Sequence, residues 1–295
     1  MPDFYLLVTI FLILWYPANA QQHVDSDSKN IERIFADGIK LAISCKGQGS
    51  PAVVIEPGSG DPGYSWVNVQ DNVAKFTKVC WYSRPGLGES DSLKYSQTPS
   101  EVVERLHTLL RNASVDPPYI LVGHSIGGLH VRKYHKIYPK EVVAMVLVDS
   151  SHEDQWAILS GFMSEEYMSL YKIITKSRNW DEKNYGTQLD SLGTVRDLPL
   201  VVLTGAKIDK FEDGLLPPAK YLPAEYQQQA EKVRPEVKRK AAGYKILWLH
   251  LQEDLAGLST NSRHFILKDS GHAIHVDKPK KLTEAIKRVF EEVSK

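Results

Sequence analysis

The sequence predicts an α/β protein with a mostly parallel sheet covered by helices on both faces. Short, largely apolar runs, most of them bounded by Gly, Pro or Asp, recur along the chain at 52–56, 78–83, 119–122, 142–148 and 198–204. Between them lie segments with apolar residues at helical spacing, such as Val102, Val103, Leu106, Leu109 and Leu110. Strands that alternate with helices imply crossover connections and parallel pairing. With 295 residues, 42% of them apolar, the chain is long enough for one large domain with a full core.

The first twenty residues stand apart. Phe4 to Tyr16 is an apolar run broken only by Thr9, shorter than the roughly 20 residues of a membrane span. Ala18-Asn19-Ala20 supplies a small-x-small cleavage signal, although the preceding region carries Asp3 and no Lys or Arg. The expectation is a signal peptide over 1–20, a mature start near Gln21 and a secreted or periplasmic protein; a retained N-terminal anchor is the alternative. Residues 21–31 are polar and read as a flexible arm, and 32–295 as one domain with an insertion. Within it, 32–35 and 39–45 flank Asp37-Gly38 and read as a hairpin. Residues 52–56 form a buried strand, 71–76 a helix and 78–83 the next strand. Thr98-Pro99-Ser100-Glu101 opens a helix, with Thr98 and Glu101 as a capping box. Tyr119 to Val122 and Val142 to Val148 are strands, with a helix from Gly128 to Tyr138 between them. From about 150 to 197 the pattern is helical and rich in aromatics and methionine, read as a cap insertion. Residues 198–204 form a strand, 210–240 a charged, proline-interrupted surface excursion and 244–258 a helix. The last strand spans 263–267, and Leu282, Ala285, Ile286, Val289, Phe290 and Val293 stripe a closing helix.

Basic and acidic residues balance at 36 each, which gives no footprint for nucleic acid or a membrane surface. The scattered histidines show no metal-ligand spacing, and no phosphate-cradling or dinucleotide fingerprint is present, so neither metal nor cofactor is expected. Cys45 and Cys80 are an even pair, which in an exported protein suggests a disulfide.

Gly123-His124-Ser125-Ile126-Gly127 lies between a strand and a helix. A serine on such a strand–turn–helix elbow is pushed out of the sheet toward the positive end of the next helix. Its hydroxyl needs a base to act as a nucleophile, and His272, in the loop after the last strand, is the candidate. His275 is the rival base. For the acid that orients the histidine, Asp209 follows the strand ending near Thr204; Asp149, at the end of the preceding strand, is the rival. The backbone N–H groups of Ser59 and Ile126 are the candidate oxyanion donors. His124, Trp156 and Phe162 are candidate pocket residues, though aromatic residues in the insertion fit a packing seam equally.

Taken together, residues 32 to 293 resemble an α/β-hydrolase. Pro57-Gly58-Ser59 stands where the family carries a His-Gly-x turn, and Arg84-Pro85-Gly86-Leu87-Gly88-Glu89-Ser90 resembles its Asp-Arg-x-Gly-x-Gly-x-Ser. The order Ser…Asp…His is the family's order. Gly-x-Gly-Ser-Pro near Ser50 and Val-Asp-Ser-Ser-His at 148–152 resemble a branch of exported bacterial members. Proline at 57 and Ser83 before Arg84 depart from the pattern. The resemblance implies an α/β-hydrolase fold with a helical cap insertion, and a serine hydrolase cleaving small-molecule carboxylic esters through an acyl-enzyme. It also implies that strands two and four are neighbours, which brings Cys45 and Cys80 within bridging reach. An amidase or aminopeptidase of the same fold, or a non-catalytic small-molecule binder, are the alternatives.

Overall fold

The computed structural model describes residues 31–176, 192–207, 215–216 and 218–294. The expected signal peptide, the arm as far as residue 30, part of the cap insertion and Asp209 lie outside them.

Asp37 and Gly38 both take positive φ, 46° and 89°, and close the first hairpin in two residues between β1 (Ile31–Ala36) and β2 (Ile39–Lys46). The other strands are β3 (Ala52–Glu56), β4 (Val79–Tyr82), β5 (Tyr119–His124), β6 (Val142–Val148), β7 (Leu200–Gly205) and β8 (Ser262–Leu267). Among the described residues these form one eight-stranded sheet in the order β1-β2-β4-β3-β5-β6-β7-β8. β2 pairs antiparallel with β1 and β4; every pairing from β4 to β8 is parallel. Cys45 faces Cys80 in the β2–β4 register, and the two form a disulfide.

The central strands carry apolar residues on both faces because both faces are covered; polar residues such as Glu56, His124 and Thr204 stand toward their carboxyl ends. Val54, Leu121, Met145 and Val202 point into one core layer, with Leu106 and Leu109 of α2 (Pro99–Asn112) and Tyr134 of α3 (Ile126–Ile137). Val53, Val122, Val146 and Val201 point into the other, with Val69 of α1 (Val67–Val73) and Leu282, Ile286 and Val289 of α8 (Pro279–Val293). The capping box of α2 forms as expected: Glu101 N–H donates to Thr98 Oγ1, and Thr98 N–H donates to the Glu101 carboxylate at 2.7 Å.

The region above the strand ends differs from the expectation. The excursion over 210–240 and the helix from 244 are largely one 33-residue helix, α6 (Ala224–Ala256), with Pro235 in its interior. Proline and seven nearby charges hide the helix in the sequence. Ala230, Val233, Val237, Ala241 and Tyr244 nevertheless keep one apolar face, which packs on Leu159, Met163, Tyr167 and Leu170. Those residues come from α4 (Gln155–Phe162), the turn after it and α5 (Glu165–Lys176), so the described part of the expected cap insertion packs with α6 as one apolar cluster. Burial of that face offsets the local cost of proline, about 3 kcal/mol in a helix interior. Glu236 of α6 accepts from Ser164 N–H at 2.8 Å at the start of α5. Among the described residues no helix is long and apolar enough to cross a membrane.

Candidate active site

β3 and β5 are neighbours, but β3 connects outward to β4 and β5 connects toward β6. Such a reversal opens a crevice beyond the carboxyl ends of the two strands. Pro57-Gly58-Ser59 leaves β3 there, and Ser125 leaves β5. Ser125 has φ 53° and ψ −125°, a strained conformation for a non-glycine residue. Its flanking glycines have a steric cause. A Cβ at Gly123 would stand 2.6 Å from the Gly127 carbonyl oxygen, and one at Gly127 would strike the Glu56 carbonyl. The turn is held from both sides: Ser125 N–H donates to the Val148 carbonyl at 3.2 Å, and the Ser125 carbonyl accepts from Gly128 and Ser151, each at 2.9 Å. α3 begins at the next residue and directs its positive end at the half-buried serine.

His272 and Asp149 meet on the same sheet edge. His272 Nδ1 lies 2.7 Å from Asp149 Oδ2. A carboxylate only accepts, so Nδ1 carries a proton and, in the neutral imidazole, Nε2 has the lone pair. The other carboxylate oxygen, Oδ1, accepts from Gly205 N–H at 3.0 Å and from Trp248 Nε1–H at 3.1 Å. Asp149 is 0% exposed, and its own N–H donates to the Leu203 carbonyl at 2.7 Å. The sequence reading placed the acid at Asp209, which lies outside the described residues; among the described residues, the carboxylate that meets His272 is that of Asp149, the rival. Asp149 takes a positive φ of 41° where β6 ends, a backbone turn that leaves no mark in residue spacing.

The turn after β3 is fixed by a buried charge cluster. Glu56 accepts from Arg84 Nη1 at 2.6 Å, faces His130 Nδ1 at 2.9 Å and accepts from the Tyr82 hydroxyl. Burial raises the Glu56 pKa; contacts with His130, Arg84 and Tyr82 outweigh it and leave the pKa below the ordinary value. Arg84 also donates to the Pro57 carbonyl at 2.6 Å and to the Gly58 carbonyl. The Gly58 C=O and the Ser59 N–H share one planar trans peptide, so holding the carbonyl from one side aims the N–H to the other. A Cβ at Gly58 would stand 2.6 Å from His124 Nδ1 and 3.4 Å from the Ser125 Cβ, so this backbone lies against the elbow. Among the described residues no acceptor meets the N–H of Ser59 or of Ile126. The two departures from the family pattern thus keep an ordered loop, and Ser83 contributes by donating to the Pro62 carbonyl at 2.6 Å.

His124 and His275 lie behind this site. His124 Nε2 donates to the His272 carbonyl at 3.0 Å, which leaves a bare Nδ1. Burial, with His272 and His275 nearby, pushes the His124 pKa well below its ordinary value. His275, in the short helix α7 (Ile274–Asp277), stacks on Trp66 at 4.3 Å, and burial pushes its pKa down to about 4. Asp61, His124 and His275 could together hold a metal ion, with ligand atoms all within 4.8 Å of one another. The Asp61 carboxylate already accepts from Gly63 N–H, Ser65 Oγ and Trp66 Nε1, so as it stands the cluster braces the loop. Trp156 lies in a tilted ring contact with Tyr171, and Phe162 with Tyr244, both in the cluster where α4, α5 and α6 pack together. Sequence reasoning missed Glu56, Trp248 and Lys245. Their only signal is a charged or polar-tipped residue within an apolar face.

Strand order, crevice and elbow define the α/β-hydrolase fold. A family model described as alpha/beta hydrolase fold matches residues 51–172. YqjL of Bacillus subtilis is 25% identical over 241 residues, 79% of this chain and 81% of that protein. A vacuolar membrane protein of Saccharomyces cerevisiae is 33% identical over 108 residues, 35% of this chain, and the chain spans only 17% of its length. Among solved structures, a thermophilic esterase from Thermogutta terrifontis superposes with a TM-score of 0.56 at 16% identity, covering 89% of this chain and 98% of that one.

Proposed function

We propose that the protein is a serine hydrolase of carboxylic esters with Ser125, His272 and Asp149 as its triad. The observation that carries this reading is the 2.7 Å His272–Asp149 contact on the sheet edge that bears the strained Ser125 elbow. In the reaction, Ser125 Oγ attacks the ester carbonyl while His272 Nε2 takes its proton. The oxyanion forms against the N–H groups of Ser59 and Ile126, each such donor being worth about 3 kcal/mol. The tetrahedral intermediate collapses, His272 returns the proton to the leaving alkoxide, and an acyl-enzyme remains. Water, deprotonated by His272, then releases the acid and restores Ser125. Asp149 keeps the imidazole in the Nδ1–H tautomer and stabilises the imidazolium. The esterase among the structural neighbours supports the substrate class. We further propose export to a secreted or periplasmic location, which the Cys45–Cys80 disulfide supports, since such bonds persist in oxidising compartments.

The test is a panel of short- and long-chain nitrophenyl esters and matching anilides, with Ser125→Ala as control. Ester turnover that Ser125→Ala abolishes is the expected result. Turnover of anilides in preference to esters would move the reading to an amidase. No turnover of either would favour a binding protein.

A further inference from the structure

The cap helix α6 enters the site itself. Lys245, Trp248 and Gln252 share one face of it and are 4%, 6% and 0% exposed. Trp248 Nε1–H donates to Asp149 Oδ1 at 3.1 Å, and Gln252 Nε2 donates to the Ser150 carbonyl at 2.7 Å. Lys245 Nζ donates to the Gly205 carbonyl, while the Gly205 N–H donates to the same Asp149 oxygen as Trp248 does. One helix face thus grips the acid, the residue after it and the glycine beside it.

We propose that Trp248 is a positioning residue, whose indole N–H fixes the rotation of the Asp149 carboxylate so that Oδ2 faces His272. The terminal torsion of an aspartate is broad and two-fold, so its own rotamer does not set the carboxylate plane. Two donors on Oδ1 set it. Gly205 supplies one from a strand end, and Trp248 supplies the other from a ring whose apolar body is locked in the cap core. Indole is a donor with no acceptor, so it does not compete with Asp149 for the His272 proton.

The kinetic arm of the test rests on the hydrolase reading; the spectroscopic arm does not. His272 is titrated by NMR of ring-labelled histidine in the wild type and in Trp248→Phe, which keeps a ring and removes the donor. Lys245 on α6, His124 at the end of β5, and His275 and Asp277 on α7 are the other titratable groups about the pair. All remain in both proteins, so a difference reports the indole. The expected result is a lower His272 midpoint, since a rotated carboxylate stabilises the imidazolium less, with kcat down about tenfold and KM changed less than about twofold. Trp248→Leu, which also removes the donor, gives the same shift and serves if the Phe variant does not fold. Val237→Ala loosens the cap core farther along α6; it lowers Tm and leaves the midpoint unchanged. An unchanged or raised midpoint in the Trp248 variants, or the same fall in Val237→Ala, overturns the proposal. A lowered midpoint in a protein whose wild type turns over no ester would uphold the positioning role and remove the ester-hydrolase reading.

Discussion

Asp149 is the residue on which the proposed chemistry turns, because its carboxylate alone meets His272 among the described residues. Asp149→Asn presents an amide where an acceptor is needed and favours the wrong imidazole tautomer. Its expected effect is a fall in kcat of about 10⁴-fold, with Asp209→Asn within about threefold of wild type. Steady-state kinetics of both variants check this. Arg84 acts one step further out. Arg84→Lys keeps the charge but not the fork that reaches the Glu56 carboxylate and the carbonyls of Pro57 and Gly58 together. Released from that grip, the Ser59 peptide is free to turn, and kcat is expected to fall about 10- to 100-fold with KM little changed. Ser125 and His272 were legible because the motif and the chain order carry them. The choice of acid was not legible: two aspartates follow neighbouring strands, and residue spacing does not show that Asp149 turns its carboxylate toward His272.

Elements were legible where local chemistry and tertiary packing agree. The Thr98–Glu101 box marks the start of α2, and Thr98→Ala is expected to cost about 1 kcal/mol in a denaturation experiment. The Asp37-Gly38 turn and the largely apolar strands likewise act on their own residues. Helix α6 failed the same reading because Pro235 and its charged neighbours oppose helix locally, while the partner face on α4 and α5 lies far away in sequence. The turn after β3 lies between these cases. Its glycines were visible, but the reason for Gly58 is the His124 ring beside it. Gly58→Ala is expected to displace this turn and remove most ester turnover while the far-UV circular dichroism stays as in wild type.

At the scale of the whole molecule, the disulfide and the buried histidines set the response to conditions. The Cys45–Cys80 bridge spans a sequence separation of 35, for which chain entropy gives about 4 kcal/mol, so reduction is expected to lower Tm clearly. His124, His130 and His275 are held neutral below their ordinary pKa, in each case chiefly by burial. The unfolded chain therefore binds more protons than the native one below about 6.5, and stability falls as pH falls from there. Glu56, with a lowered pKa, adds a loss of the same sign at more acidic pH. His275→Phe, which keeps a ring on Trp66, is expected to remove about 2 kcal/mol of the loss between pH 7 and 5, read by denaturant melts. The most direct measurement of the central claim is the rate at which a fluorophosphonate probe labels the folded protein, with the labelled peptide identified by mass spectrometry. The triad predicts a single adduct on Ser125, absent in Ser125→Ala and strongly slowed in His272→Ala and Asp149→Asn. Labelling elsewhere, no labelling, or a rate indifferent to His272 and Asp149 would contradict it.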